Sequence, residues 1–281
     1  MISINTNYGG LYAANASRSS QALVDQAMER LSTGKRINYA KDDAAGQAIA
    51  VRLEAEIQGL AVAARNAADA QSLIDTAEGA LQESTSLLLR MRELAVQSSN
   101  STNSDADRAA LQVEAASLEA EISRIANTTT WGGKKLLDGT FSGDTDSAGR
   151  TFQIGTTSGE TIELSIPEMT ATAATIGYSV ALSIGSFTGA QSAIGAIDDA
   201  LSGVNEVRGK MGAASNRLDS TIGNLNQIRV NLMASKGRIM DTDFAAETGN
   251  LAKGQILQQA ATAMVAQANA SKSTVLTLLR G

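Results

Sequence analysis

The 281 residues carry 29 acidic against 23 basic side chains, a net charge of −6, and contain neither histidine nor cysteine. That balance excludes a nucleic-acid binder, since neutralising phosphates takes a concentrated basic face and only Lys134-Lys135 and Lys35-Arg36 come close to one. The missing imidazole and thiol remove the usual general base, zinc ligand, thiolate nucleophile and disulfide.

Apolar residues make up 43% of the chain but aromatics only 3%. Alanine supplies much of the apolar count, so thin helical contacts suit the chain better than one thick core. A single proline, Pro167, leaves the stretches on either side free of the strongest helix breaker. The start, Met1-Ile2-Ser3-Ile4-Asn5-Thr6-Asn7, has neither a basic head nor a continuous apolar stretch, so no cleaved secretory signal is expected. No run of about 18 apolar residues predicts a spanning helix, so membrane insertion is not expected.

In chain order, Val24, Ala27, Met28 and Leu31 mark a narrow apolar stripe near the start. Ser32-Thr33-Gly34-Lys35 matches the S-x-x-K pattern, but the accompanying S-D-N and K-T-G elements are absent. Gly34 reads instead as a helix C-cap. Asp42 and Asp43 fall where a long helix begins, at the positive end of its dipole. From Asp42 to about Ser98 an apolar residue recurs at every seventh position: Leu53, Leu60, Ala67, Ile74, Leu81, Leu88 and Ala95. Partner positions start at Ile57 and Ala64 and pass to Ala70, Ala77 and Met91, so the seam drifts around the helix.

The Ser- and Asn-rich stretch from Ser98 to Ser104 predicts a break, with Ser104 capping a second helix whose first turn holds Asp105 and Asp107. Leu111, Ala115, Leu118, Ile122 and Ile125 form its buried face, and Asn127 with the threonines after it ends it. Between 140 and 189 the composition turns to Gly, Thr and Ser and the period turns to two. Phe152 and Ile154, then Ile162, Leu164 and Ile166, flank Gly155-Thr156-Thr157-Ser158-Gly159 as a β-hairpin, and further strands are expected around Tyr178 to Ile184. Sevenfold spacing then returns with Ile197, Val204, Met211, Leu218, Leu225, Leu232 and Ile239.

The end of the chain carries a second alanine-rich stripe, Leu257, Ala261, Met264, Ala268, Val275 and Leu278. Burying mainly alanine returns little against an ordering cost of about 1–2 kcal/mol per residue. The two terminal stripes are therefore expected to pair with each other and to fold fully only against other copies, being disordered or nascent in a monomer. The acidic pairs Asp42-Asp43, Asp198-Asp199 and Asp241 with Asp243 lie in no EF-hand loop and read as solvated caps, so neither a metal nor a cofactor is expected.

The expected fold is mainly α: a long antiparallel helical coiled-coil bundle of helices 42–98, 105–126 and 190–240, with a small β-hairpin insert and the N- and C-terminal helices paired in an inner domain. Residues 1–41 and 242–281 form the expected terminal inner domain, 42–139 and 190–241 the helical core, and 140–189 the insert. No catalytic constellation emerges, and a non-enzymatic, structural role is expected.

The segment from Ala27 to Ala50, which runs Ala27-Met28-Glu29-Arg30-Leu31-Ser32-Thr33-Gly34-Lys35-Arg36-Ile37-Asn38 and on through Asp42-Asp43-Ala44-Ala45-Gly46-Gln47, resembles the flagellin N-terminal signature. Arg238 to Glu247, Gln255 to Ala260, Ala266 to Asn269 and Val275 to Leu279 resemble the C-terminal one. The resemblance implies a structural subunit that polymerises into the bacterial flagellar filament for motility, secreted into the extracellular filament. Its termini would form a coiled-coil inner tube through Val24, Ala27, Met28, Leu31, Leu257, Ala261, Met264, Ala268, Val275 and Leu278. Implied partners are other subunits, the flagellar export apparatus, an export chaperone, the filament cap and hook-associated proteins.

The family's variable outer domains would lie where residues 140–189 sit, which implies a short form. Tyr8-Gly9-Gly10-Leu11-Tyr12 departs from the commoner, more hydrophilic start, and Ala261 stands where glycine is frequent. Arg90-Met91-Arg92-Glu93-Leu94-Ala95-Val96-Gln97, with Glu114 opposite, resembles the patch read by the animal flagellin-sensing Toll-like receptor, so Arg90, Glu93, Leu94 and Glu114 are candidate receptor contacts. Leu89 replaces the usual glutamine there. Alternatives are a hook-filament junction protein, which resembles the family at its ends, and a secreted coiled-coil binding protein.

Overall fold

The computed structural model describes residues 6–142, 150–171 and 182–280, with side chains of the last helix described as far as Ser271. Among the described residues five α-helices are formed: α1 (Tyr8–Thr33), α2 (Ala44–Ser98), α3 (Asp105–Thr128), α4 (Phe187–Met240) and α5 (Phe244–Arg280). Between α3 and α4 the described residues form two small antiparallel hairpins: β1 (Thr130–Trp131) with β2 (Lys134–Lys135), and β3 (Arg150–Gln153) with β4 (Thr161–Leu164). The chain divides into two compact units, residues 58–229 and residues 1–57 with 230–281.

In the central unit, 58–229, the sevenfold pattern is the core. Leu60, Ala67, Ile74, Leu81, Leu88 and Ala95 are all buried on α2. A second strict row, Ala63, Ala70, Ala77, Ser84, Met91 and Ser98, is buried beside it. Ala63 rather than Ala64 opens that row, so the seam holds its register here instead of drifting. On α4, Ile197, Val204, Met211, Leu218 and Leu225 are buried, and on α3 Ala115, Ile122 and Ala126. Helices α2 and α4 run antiparallel. Arg92 meets Asp198 at 2.7 Å, Arg208 meets Glu78 at 2.7 Å and Gln71 donates to Asp219 at 2.9 Å, so one number falls as the other rises.

Polar side chains close the end of this bundle. Arg108 is buried, and its guanidinium donates to the carbonyls of Ser98 at 2.6 Å and of Asn100 and Asn103 at 3.1 Å, satisfying acceptors left open where α2 stops. Ser104 caps α3 as expected. Its hydroxyl accepts from the Asp107 amide, while the Asp107 carboxylate accepts from the Ser104 amide and hydroxyl. Those bonds hold the Asp107 carboxyl below its ordinary range.

The expected hairpin is β3–β4, with Phe152 paired to Ile162 and the connection passing through Gly159 at φ 91°. Strand β4 alternates exposed and buried, and Ile162, Leu164 and Ile166 plug the core together with Leu136, Leu137 and Phe141. Of the further strands expected around Tyr178 to Ile184, residues 178–181 lie outside the described residues. Leu182 to Ile184 forms no strand, because side chains take its backbone groups: Gln112 donates to the Leu182 carbonyl at 2.9 Å and Ser98 to the Ile184 carbonyl at 2.5 Å. The β1–β2 hairpin was not expected. It turns on Gly132 and Gly133, both at positive φ, 57° and 79°, which fits the two-residue turn that matches strand twist.

Candidate assembly interface

The terminal unit pairs the two ends of the chain. Asn7 caps α1 by accepting from the Gly10 amide at 3.0 Å, and its side-chain amide donates to the Ala268 carbonyl at 3.3 Å and to Asn269 at 3.2 Å. Further along, Gln258 donates to Gln21, and Arg30 meets Glu247 at 3.6 Å. The pairs 7 with 268, 21 with 258 and 30 with 247 show that α1 and α5 run antiparallel. Gly34, at φ 70°, ends α1 with its amide on the Arg30 carbonyl, as its C-cap reading requires.

The seam between these helices is made of small residues. Ala13, Ser20, Val24 and Ala27 are buried on α1, facing a sevenfold row on α5 of Glu247, Gly254 and Ala261 buried and Ala268 half-buried. At Gly254 a β-carbon would lie 2.9 Å from Val24 Cγ2 and 3.5 Å from the Val24 nitrogen, so glycine sets how closely the backbones approach.

Short linkers join this pair to the first turns of α2 and the last turns of α4. The Arg36 amide donates to the Met240 carbonyl at 2.6 Å and the Thr242 amide to the Gly34 carbonyl at 3.0 Å, around a β-bridge between Lys35 and Asp241. Ile37, 1% exposed, packs with Ala50, Met240 and Ile239. Of the two acids expected at the start of the long helix, Asp43 caps α2 and Asp42 instead closes the turn before it. The Asp42 carboxylate accepts the amides of Asn38 and Tyr39, which holds its carboxyl below the ordinary range, and Asp43 accepts the Gly46 amide at 2.8 Å.

The apolar stripes are only partly used by this pairing. Val24, Ala27 and Ala261 are buried in the seam, and Leu31 and Ala268 are half-buried. Met28, Leu257 and Met264 are exposed, Met264 at 61%. The side chains of Val275 and Leu278 lie outside the described residues. Sequence reasoning did not single out Tyr8, Leu11, Tyr12, Leu23, Phe244 and Ile256 for this role, yet all six are exposed in this unit. Their signal was available: Tyr8, Leu11 and Tyr12 are bulky and apolar in a helix otherwise poor in such side chains.

On the central unit, Arg90 donates to Glu114 at 2.8 and 3.1 Å and to Glu93 at 2.9 Å, and those carboxylates raise its guanidinium above its ordinary pKa, Glu93 first. Arg90, Glu93 and Glu114 are exposed, whereas Leu94 is 1% exposed and belongs to the core, so it offers no surface contact. The heptad pattern predicts this, since Leu94 flanks Ala95 and Met91 on the buried face. Leu89 and Val113 are the exposed apolar neighbours in sequence.

Among the described residues no group of three or more acidic, histidine or cysteine side chains is placed to hold a metal, and no helix is long and apolar enough to cross a membrane. A groove of about 400 Å³ between α2 and α3 is lined by Gly79, Leu87 and Ile125, with Glu121 and Arg124 paired to each other at its rim.

Long antiparallel helices, paired chain ends and a cap-and-seam polar chemistry define a helical structural protein. Family profiles agree in detail. The bacterial flagellin N-terminal helical region matches residues 4–142, and the bacterial flagellin C-terminal helical region matches residues 194–279. A flagellin of Halalkalibacterium halodurans is 48% identical over 273 residues, covering 96% of this chain and 98% of that protein. Flagellin E of Vibrio cholerae is 35% identical, with 99% of each chain covered. That alignment runs over 381 positions against 281 residues here, so at least 100 positions have no counterpart in this shorter chain. The chain belongs to the bacterial flagellin family. A solved structure described as a flagellar hook-associated protein from Vibrio parahaemolyticus has the same fold at 19% identity, with a TM-score of 0.58, covering 71% of this chain and all of that one.

Proposed function

We infer that this chain is a structural subunit of the extracellular bacterial flagellar filament and that it polymerises through its terminal helices. Residues 1–41 and 242–281 act as the inner, assembling domain, 42–139 and 190–241 as the helical core, and 140–189 as its insert. One observation carries this reading. Apart from Glu247, paired with Arg30, the buried residues of the α1–α5 seam are alanine, glycine, serine and a single valine, while Met28, Leu257, Met264, Tyr8, Leu11 and Ile256 stand uncovered beside it.

Such a pair gains little from its own closure and more from neighbours that cover the exposed rows. Identical copies joined through two different patches make a heterologous contact, which extends as an open helical array. Ordering of the termini is then completed at the growing tip, and the loosely held ends suit passage through a narrow export route. Family membership supports the export apparatus, an export chaperone, the filament cap and hook-associated proteins as partners, and a mechanical rather than an enzymatic role. Arg90, Glu93 and Glu114 are the exposed contacts offered to the animal flagellin-sensing receptor. Loss of response in receptor-expressing reporter cells on Arg90→Ala supports that assignment, and an unchanged response refutes it.

Deleting residues 245–281 removes nearly all of α5. The expected result is a helical monomer by circular dichroism that forms no filaments under the electron microscope. Filaments from the truncated chain would remove the proposal.

A further inference from the structure

Eight methionines are the chain's only sulfur, because it has no cysteine. Their placement is divided. Met91, Met211, Met169 and Met240 are buried, the first two at 1%. Met28, Met233 and Met264 are exposed at 56%, 50% and 61%, and all three lie in the terminal unit. Met1 lies outside the described residues.

The exposed three sit on apolar rows. Met264 follows Leu257 by seven residues on α5, so the two form one row along the helix, three positions beyond the buried Gly254 and Ala261. Met28 directly follows the buried Ala27 on α1, and Met233 follows the exposed Val230 by one turn on α4. We propose that Met28, Met233 and Met264 are a redox-modification site, at which a peroxide converts thioether to sulfoxide and thereby blocks assembly of the chain. This rests on the reading of the terminal helices as the assembling domain, which holds Met28 and Met264, while Met233 lies in the same compact unit on α4.

The chemistry balances with one hydroperoxide per methionine. The sulfur lone pair attacks the terminal peroxide oxygen, the O–O bond breaks, the new S–O bond forms, and the other oxygen leaves as water or an alcohol. Sulfur is oxidised by two electrons and the peroxide is reduced by two. The product replaces a flexible apolar side chain with a chiral, strongly accepting one. In the free subunit that oxygen is solvated and costs nothing, because the three side chains already face water. Buried against an apolar row of a neighbour, it would lose its water without a donor to replace it, so the penalty falls on the polymer alone. The modification is reversible by methionine sulfoxide reductase with a dithiol.

The test uses full-length monomer exposed to dilute hydrogen peroxide, peptide mass spectrometry to place the sulfoxides, and extension of filament seeds followed by light scattering. Met28, Met233 and Met264 are expected to oxidise at least tenfold faster than Met91, Met169, Met211 and Met240. The concentration needed for extension is expected to rise on the order of tenfold or more. Sulfoxide reductase restores it, and a chain with Met28→Leu, Met233→Leu and Met264→Leu has the same critical concentration after peroxide as it has before peroxide, whatever that starting value is. In assembled filaments the same three methionines are protected. Normal extension with all three oxidised overturns the proposal, as does equal reactivity of the three in monomer and filament, or equal peroxide sensitivity of the triple leucine chain. Failure of the untreated chain to extend seeds is a different result, because it removes the assembly reading itself.

Discussion

The two units use the same helical period for opposite ends. In the central unit the sevenfold positions hold Leu81, Leu88, Ile197 and Met211, and the segments that follow the hairpins add Phe141, Leu136 and Ile166, so these large side chains are fully covered by the chain's own atoms. In the terminal unit the sevenfold row on α5 holds Glu247, Gly254, Ala261 and Ala268, and Tyr8, Leu11, Met28, Ile256, Leu257 and Met264 on the paired helices stand uncovered. Burial scales with apolar area, so the first unit covers a large core by itself while the second leaves several bulky side chains exposed. On the proposed function, stability and assembly are assigned to different parts of one chain.

The contrast breaks first if a core substitution in the central unit behaves like a surface one. Leu81 is 0% exposed, and Leu81→Ala is expected to lower the unfolding free energy by about 2–5 kcal/mol, with loss of transfer energy and a residual cavity both contributing. Chemical denaturation of the monomer followed by circular dichroism measures it. A loss under about 1 kcal/mol would mean that the central core is not packed as described.

Most of this division was legible in the residues. Strict sevenfold spacing survives any tertiary arrangement, so α2 and α4 could be placed from Leu60 to Ala95 and from Ile197 to Leu225. Capping is local chemistry, so Ser104 and Gly34 were readable too. Long-range polar clamps were not. Nothing in the spacing of Arg108, Gln112 or Ser98 says that they close the end of α2 and hold Leu182 to Ile184, because the partners are carbonyls of a loop with no period.

The α1–α5 seam was half legible. Val24 and Ala27 were read together with Met28, yet one residue is about 100° of helix, enough to move Met28 off the seam and into solvent. The row of Glu247, Gly254, Ala261 and Ala268 was present at perfect spacing, but its glycine and carboxylate do not look like a core until a second helix is placed against them. Leu94 was misread for the complementary reason, since a motif of neighbouring residues mixes faces that the helix separates.

The seam itself is sharpened by two glycines on one helix. Gly249 has open space where a β-carbon would go, so Gly249→Ala is expected to stabilise α5 by up to about 1 kcal/mol through helix propensity. Gly254 faces Val24, a β-branched side chain with essentially one rotamer in a helix and little freedom to move aside. Gly254→Val is expected to cost about 1–3 kcal/mol of α1–α5 pairing through overpacking. Heat dissociation of filaments reads both, with the midpoint rising for the first and falling for the second. Equal shifts at the two sites would show that α1 and α5 do not approach closely at Gly254.

The smallest expected effect concerns a cap in the self-sufficient unit. Ser104→Ala removes the hydroxyl that accepts from the Asp107 amide and donates to its carboxylate, and the loss at neutral pH is expected to be about 1 kcal/mol. Its pH dependence follows from the hydrogen bonds that lower the folded Asp107 pKa below the unfolded value. That contribution is fully present above the ordinary carboxylate pKa of about 4, and it is lost as the pH falls through the folded value. Asp198, lowered by Arg92 across the α2–α4 contact, titrates in the same direction, while Glu119, raised by burial, works against both. The natural chain therefore loses stability on acidification below the ordinary carboxylate range. The Ser104→Ala chain loses less over the same interval, because the first cause of the Asp107 depression is gone. Denaturation midpoints measured at neutral and at acidic pH should converge for the two chains, and midpoints that stay parallel would show that the Ser104–Asp107 pair is not linked to proton binding.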